Sequence, residues 1–255
     1  MNTPQQKQYK VLLIGDSCID EYVYGTCDRL SPEAPVPILK YMRKEKRDGM
    51  AWNVYNNLKA FGLEVYIITN KEKIIKTRYI DEKINQQILR VDSNDSCEPM
   101  DCEIPYEQYD AVVISDYNKG FVTSSKIFEI VSNTKCPVFI DSKKTVLPEY
   151  GCYIKINNHE YDKLDDGNKK NSNNIIITYG DMGAKYHEVM YLGEKVKVYD
   201  VVGAGDTFLS GLVYFYLKYG IIEKAIPYAN KSASIAVQNR GTYVLTENDI
   251  NKICS

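Results

Sequence analysis

The residues whose types and spacing suggest chemistry lie together in Asp200-Val201-Val202-Gly203-Ala204-Gly205-Asp206-Thr207-Phe208. Two glycines let the backbone turn tightly and approach a ligand closely. The apolar pattern from Phe208 to Leu217 predicts a helix directly after the turn. The first N–H groups of a helix have no intrahelical partner, so this turn is an anion site suited to a phosphoryl group. Asp206 falls in the first helical turn, aimed at the same place. A carboxylate beside an anion site is odd for simple binding. It makes sense as a base that takes a proton from a hydroxyl while the amides hold the phosphate under attack. On the Gly-x-Gly alone, a helix-start turn with Asp as a capping residue is an equal reading.

The full run Asp-x-x-Gly-Ala-Gly-Asp-Thr-Phe is much more specific. It resembles the signature of the ribokinase-like carbohydrate kinases, the PfkB family. The resemblance implies Asp206 as catalytic base and the amides of Gly203, Ala204 and Gly205 as the anion hole, with ATP and Mg²⁺ as cofactors. Val202 stands where that family usually has Thr, which removes a hydroxyl near the phosphates.

The elements that must position this turn can be read along the chain. Val11-Leu12-Leu13-Ile14, ending in Gly15-Asp16, predicts a buried parallel strand with a ligand loop at its carboxyl end. Asp16 and Asp20 are either solvated loop carboxylates or a pair gripping sugar hydroxyls. Three prolines between Pro32 and Pro37 exclude a helix. Short strands at Tyr22–Tyr24 and Ile38–Tyr41 suggest a small sheet apart from the main one. The string Ser31-Pro32-Glu33-Ala34-Pro35-Val36-Pro37 narrows the resemblance to the branch that phosphorylates D-glycero-β-D-manno-heptose 7-phosphate.

Val54, Leu58 and Phe61 recur at helical spacing, and Gly62 closes that helix. The family motif at its start matches Gly49, Ala51, Asn53 and Asn57, and the resemblance places Gly49 and Asn53 at the sugar. Met50, Trp52 and Tyr55 depart from it, and Met50 replaces a glycine that lets the backbone approach the sugar. Glu64 to Thr69 reads as the next strand. The chain then runs straight into Lys71–Lys76, where the family has roughly the ~30 residues of a βαβ unit, so an internal deletion is expected. Two further strands, Lys76–Ile80 and Gln86–Asp92, complete a lid formed by approximately residues 21–45 and 76–92. Arg78 and Arg90 read as solvated strand charge or as holders of a phosphate already on the sugar. Exposed lid edges make a homodimer through these strands an expectation.

Ala111–Ile114 predicts a buried strand, and the loop after it puts Asp116 and Lys119 at the strand ends, where ligands bind in such sheets. A helix from Thr123 and a strand at Pro137–Ile140 lead to Lys143, which the resemblance places on nucleotide phosphates. It also implies Asn157 and Glu160 near ATP, holding Mg²⁺. Thr178, Gly180 and Gly183 resemble the nucleotide-side loop, and Asn230, Ser232 and Ala233 the helix against adenine. Tyr186–Val189 and Lys195–Val198 read as a hairpin around Leu192-Gly193. Thr246-x-x-Asp249 is a capping pattern near the end, and no nucleotidyltransferase domain of the kind sometimes fused to this kinase is expected.

Alternating strands and helices over 255 residues imply one α/β domain. The resemblance makes it a ribokinase-like three-layer αβα sandwich with a mostly parallel sheet and a small β lid. A net charge of −2 offers no basic face for nucleic acid. No signal peptide is expected in polar Met1–Lys10, and Phe208–Leu217 is about half of a ~20-residue membrane span. Cys18, Cys27, Cys97, Cys102, Cys136, Cys152 and Cys254 show no metal-ligand spacing and read as reduced, mostly buried thiols of a cytoplasmic protein. The implied function is ATP-dependent phosphorylation of the heptose phosphate at its anomeric hydroxyl, giving the 1,7-bisphosphate. The alternatives are the same chemistry on another sugar or sugar phosphate, or a non-catalytic sugar- or nucleotide-binding relative.

Overall fold

The computed structural model describes residues 8–170 and 172–255, so most of the Met1–Lys10 segment lies outside the described residues. In chain order the elements are β1 (Lys10–Gly15), β2 (Ser17–Thr26), β3 (Lys40–Met50), α1 (Ala51–Ala60), β4 (Glu64–Thr69), β5 (Ile74–Asp81) and β6 (Gln86–Ser93). They continue as β7 (Ala111–Asp116), α2 (Ser124–Asn133), β8 (Val138–Ser142), β9 (Tyr153–Asn157), α3 (Asn158–Lys163) and α4 (Asp166–Lys170). The last are β10 (Ile175–Thr178), β11 (Gly183–Tyr186), β12 (Val189–Leu192), α5 (Ala204–Tyr219), α6 (Ile222–Ala236) and α7 (Glu247–Cys254).

The large sheet has the order β12-β11-β10-β9-β8-β7-β1-β4. Every pair from β10 to β4 is parallel, and β11 and β12 add to one edge in antiparallel fashion. Parallel strands covered on both faces need apolar side chains at every position, which β1, β7 and β10 supply. Alternate residues face opposite sides of a strand. Val11, Leu13 and Val113 thus join one core with α1, α5 and α6, while Leu12, Ile14 and Val112 join another with α2. Some of the many tyrosines fill the helical side, where Phe61 stacks on Tyr214 at 4.8 Å and Phe215 on Tyr228 at 4.2 Å. The chain is a three-layer α/β sandwich.

A second sheet has the order β3-β2-β5-β6 and is built from the segments expected to form a lid. From β4 the chain passes directly to lid strand β5. Because β1 has β4 on one side and β7 on the other, the strand order reverses there. The crevice at the carboxyl ends of β1 and β7 is the place where open α/β sheets bind ligands.

Three expectations need correction. The edge hairpin joins β11 to β12 through His187-Glu188, and Lys195–Val198 is not a strand. His187 takes the left-handed backbone itself, with φ 50°, so no glycine marks the turn. Arg78 is buried and ion-paired with Asp20 rather than solvated. Of the cysteines, only Cys18 and Cys152 are buried; Cys102 and Cys254 are exposed. Among the described residues no helix is long and apolar enough to cross a membrane.

Candidate active site

Helix α5 starts at Ala204, and its N-cap Gly203 is left-handed with φ 79°. A Cβ there would stand 2.7 Å from Asn53 Nδ2, so glycine is required both for the turn and for the approach of α1. At Gly205 a Cβ would stand 2.8 Å from Lys155 Nζ. The glycine therefore lets an ammonium lie against the amides of the helix start. Lys155 comes from β9 and is 5 % exposed. It donates to Asp141 of β8 at 2.7 Å. Burial works against its charge, but the Asp141 carboxylate outweighs this and raises its pKa. Helix amides and a buried cation thus face one spot, an arrangement that stabilises a phosphoryl group. Sequence reasoning missed Lys155, although a lysine inside the apolar run Tyr153–Ile156 was a signal.

Asp206 projects from the first turn of α5 and is 2 % exposed. Its Oδ2 accepts from Asn53 Nδ2 at 2.9 Å and its Oδ1 from the Tyr117 hydroxyl at 2.7 Å. Burial lifts its pKa to about 6; the bonds from Asn53 and Tyr117 and the charge of Lys155 hold it down, while Asp141 adds to the rise. Such a carboxylate is ionised at neutral pH yet a stronger base than an ordinary one, as proton abstraction requires. Tyr117 was also missed, though it stands beside Asp116 in a loop that sequence reasoning had singled out.

The remaining acceptor-side candidates are arranged around this pair. Asp16 is fully buried at the end of β1. It accepts from the amides of Tyr117 at 2.7 Å, Lys119 at 3.1 Å and Phe121 at 3.3 Å. Burial raises its pKa, opposed by those amides. Asp16 thereby fixes the loop that carries Tyr117. Asp20 lies on β2 beside Gly49 of β3, whose absent side chain leaves room for the Asp20 carboxylate. Asp20 is paired with Arg78. Asp116 accepts from Ser142 at 2.5 Å and from Lys144 at 2.8 Å. Lys119 is paired with Asp95. Asn53 is thus the substrate-side candidate in direct contact with Asp206.

On the other side of the Gly203–Gly205 turn lies a cavity of about 330 Å³. Thr178, Gly180, Gly183, Asn230, Ala204 and Gly205 are among its lining residues. Its apolar wall comprises Val196, Val198, Val201, Phe208, Ala233 and Val237. Asn230 donates to the Tyr191 carbonyl at 2.7 Å and ties α6 to the edge hairpin. Ser232 points instead into the contact with Gly211 of α5. Lys143 is exposed, with its ammonium 4.6 Å from the centre of the Tyr117 ring.

Asn157 and Glu160 bond to one another's main chain at 2.9 Å, a capping box that starts α3. That box uses one carboxylate oxygen of Glu160. Mg²⁺ on nucleotide phosphates takes one or two carboxylates and keeps several waters, so this pair fits such an ion.

Residues 153–249, which include β9, the cavity and the Asp206 turn, match the family model described as pfkB family carbohydrate kinase. Over these residues the chain is similar to the pfkB family of carbohydrate kinases. It is similar to the bifunctional protein HldE of a Nitratiruptor species, with 31 % identity over 297 positions, covering 95 % of this chain and 64 % of that protein. With HldE of Campylobacter jejuni (strain RM1221) the identity is 28 % over 302 positions, covering 98 % and 66 %. The chain therefore spans just under two thirds of the length of these relatives. Both alignments are longer than this chain itself, at 255 residues, so it lacks segments that the relatives have. Ribokinase from Thermotoga maritima shares the fold, with a TM-score of 0.73 at 14 % identity over 96 % of this chain and 99 % of that one. Arabidopsis thaliana ribokinase complexed with ribose and ATP gives 0.66 at 12 % identity over 97 % and 99 %.

Proposed function

We propose that this chain is a pfkB-type kinase that transfers the γ-phosphoryl group of ATP to the anomeric hydroxyl of D-glycero-β-D-manno-heptose 7-phosphate, giving the 1,7-bisphosphate and ADP. One observation carries the chemistry: a buried carboxylate with its pKa raised to about 6 stands at the helix start that joins the apolar cavity to the acceptor loop. The choice of heptose rests on the Ser31–Pro37 string and the likeness to HldE proteins.

In this reading the adenine lies against the apolar wall, part of which α6 supplies. The acceptor oxygen attacks the γ-phosphorus, the bond to the β–γ bridging oxygen breaks, and the acceptor proton passes to Asp206. The amides of Gly203, Ala204 and Gly205 and the Lys155 ammonium hold the charge on the transferring oxygens. Asn53 orients the base. Mg²⁺, held through Glu160 and Asn157, would supply further charge neutralisation when bound. Strand β6 is exposed along its whole length and forms an edge of the lid, so we also infer a homodimer through the lid strands. A sedimentation run at micromolar concentration checks it; a monomer rejects it.

Met50 in the acceptor region favours one competing reading, another sugar or sugar phosphate. A coupled assay of ADP release with hexoses, pentoses, their phosphates and the heptose phosphate decides between them. The heptose phosphate should give the highest kcat/KM. A different sugar at the top rejects the heptose assignment but keeps the kinase.

A further inference from the structure

The acceptor side of Asp206 is already occupied by a residue of the chain. Tyr117 places its hydroxyl 2.7 Å from Asp206 Oδ1, the contact that an acceptor hydroxyl needs for proton transfer. Its ring packs against a buried cluster of Cys18, Met50 and Ile74, together with Cys97. Its backbone amide is bound to Asp16, so the main chain is anchored and the side chain is the part able to move. Met50 has φ 56° and ψ −130°, a backbone conformation that suits glycine. Holding it there costs about 1–3 kcal/mol, yet its side chain is buried in the cluster beside Tyr117.

We propose that Tyr117 gates the base: without an acceptor its phenol takes the acceptor-hydroxyl position on Asp206 and keeps water out, and a sugar reaches Asp206 only by displacing it. This rests on the reading of Asp206 as the base. The gate answers a need of the site. A strong base beside a bound triphosphate would otherwise activate water and hydrolyse ATP without a sugar. Burial and the Asp206 charge push the phenol well above its ordinary pKa, so it remains a proton donor across the neutral range. The other groups facing Asp206 are Asn53 from α1, Asp141 from β8, Lys155 from β9 and the Cys18 thiol from β2. None of these occupies Oδ1.

The test is ADP release from Mg-ATP with no sugar, in the wild type, Tyr117→Phe, Tyr117→Ala and Tyr117→Ala combined with Asp206→Asn. Hydrolysis should rise by up to about tenfold in Tyr117→Phe, the factor of one lost hydrogen bond, and further in Tyr117→Ala, which also removes the ring that covers Asp206. Adding Asp206→Asn should abolish the rise. For the sugar phosphate that is turned over, Tyr117→Phe should move the acid limb of kcat/KM to higher pH, because the free enzyme has lost a bond that lowers the Asp206 pKa. The acid limb of kcat should stay, because the phenol is already displaced in the complex; a purely structural role moves neither. Unchanged hydrolysis in both Tyr117 variants, with ADP binding retained by calorimetry, overturns the gate and leaves the kinase reading intact. A rise that survives Asp206→Asn also overturns it. Loss of ADP binding in the wild type itself would instead overturn the kinase reading.

Discussion

The two halves of the cleft are in opposite states. The donor half is an open cavity of about 330 Å³ with a largely apolar wall. The acceptor half is filled: Asp16, Asp20, Asn53 and Asp206 are each at most 3 % exposed and are bonded to partners within the chain. The contrast has a physical cause. An apolar wall framed by a sheet edge and a helix can stand open without leaving a polar group unpaired. Buried carboxylates and amides cannot, because a buried polar atom without a partner costs about 1–3 kcal/mol. They bond to one another, to Tyr117 and to Arg78.

Substitutions on the two sides should therefore act differently. The largest effect is expected from Asp206→Asn, which should lower turnover by about 10²–10⁴; near-normal single-turnover rates would remove Asp206 from the chemistry. Lys155→Met leaves Asp141 largely buried without its cation and should cost about 3–5 kcal/mol, read from the denaturant midpoint. The same Asp206→Asn variant should gain stability. The native pKa of Asp206 is about 6 against an ordinary 3.8, so the folded state holds this proton more tightly. The ionised form therefore costs about 3 kcal/mol above pH 6. The gain should be full at pH 8, shrink between pH 6 and 4, and vanish below. Equal melting temperatures of variant and wild type at pH 8 would contradict the raised pKa.

On the donor side, Ala233→Trp fills the cavity wall and should weaken ADP binding about tenfold or more, roughly 1.4 kcal/mol. Its unfolding midpoint should change little, since no acceptor-side bond is touched. The smallest effect is expected from Met50→Gly. Relief of about 1–3 kcal/mol of strain offsets the loss of about 1.5–3 kcal/mol of side-chain burial. Net stability should stay within about 1 kcal/mol, while the acceptor KM falls because Tyr117 loses a packing neighbour.

The scaffold was largely legible in the sequence because local chemistry specifies it. The apolar runs at Val11–Ile14, Ala111–Ile114 and Ile175–Ile177 are buried central strands, and the Thr123 and Thr246 caps begin α2 and α7 as expected. The edge hairpin was misplaced because His187 adopts a turn conformation that carries no sequence mark. Within the site, the motif run brought out the Asp206 turn, but the groups that tune it were not visible. Lys155 meets Asp141 across 14 residues of sequence, and Tyr117 meets Asp206 across 89. Contacts of that kind depend on which strands and loops the topology makes neighbours, which no spacing in one chain encodes. Likewise Arg78 looked like strand charge until pairing of β2 with β5 put it beside Asp20.

The most direct measurement is ³¹P NMR of the purified protein with Mg-ATP and D-glycero-β-D-manno-heptose 7-phosphate. A new anomeric phosphate resonance growing in step with ADP, and absent with Asp206→Asn, is the predicted result. Intact ATP and an unchanged sugar phosphate spectrum, with the nucleotide shown to bind, would contradict the assignment of this chain as a heptose phosphate kinase.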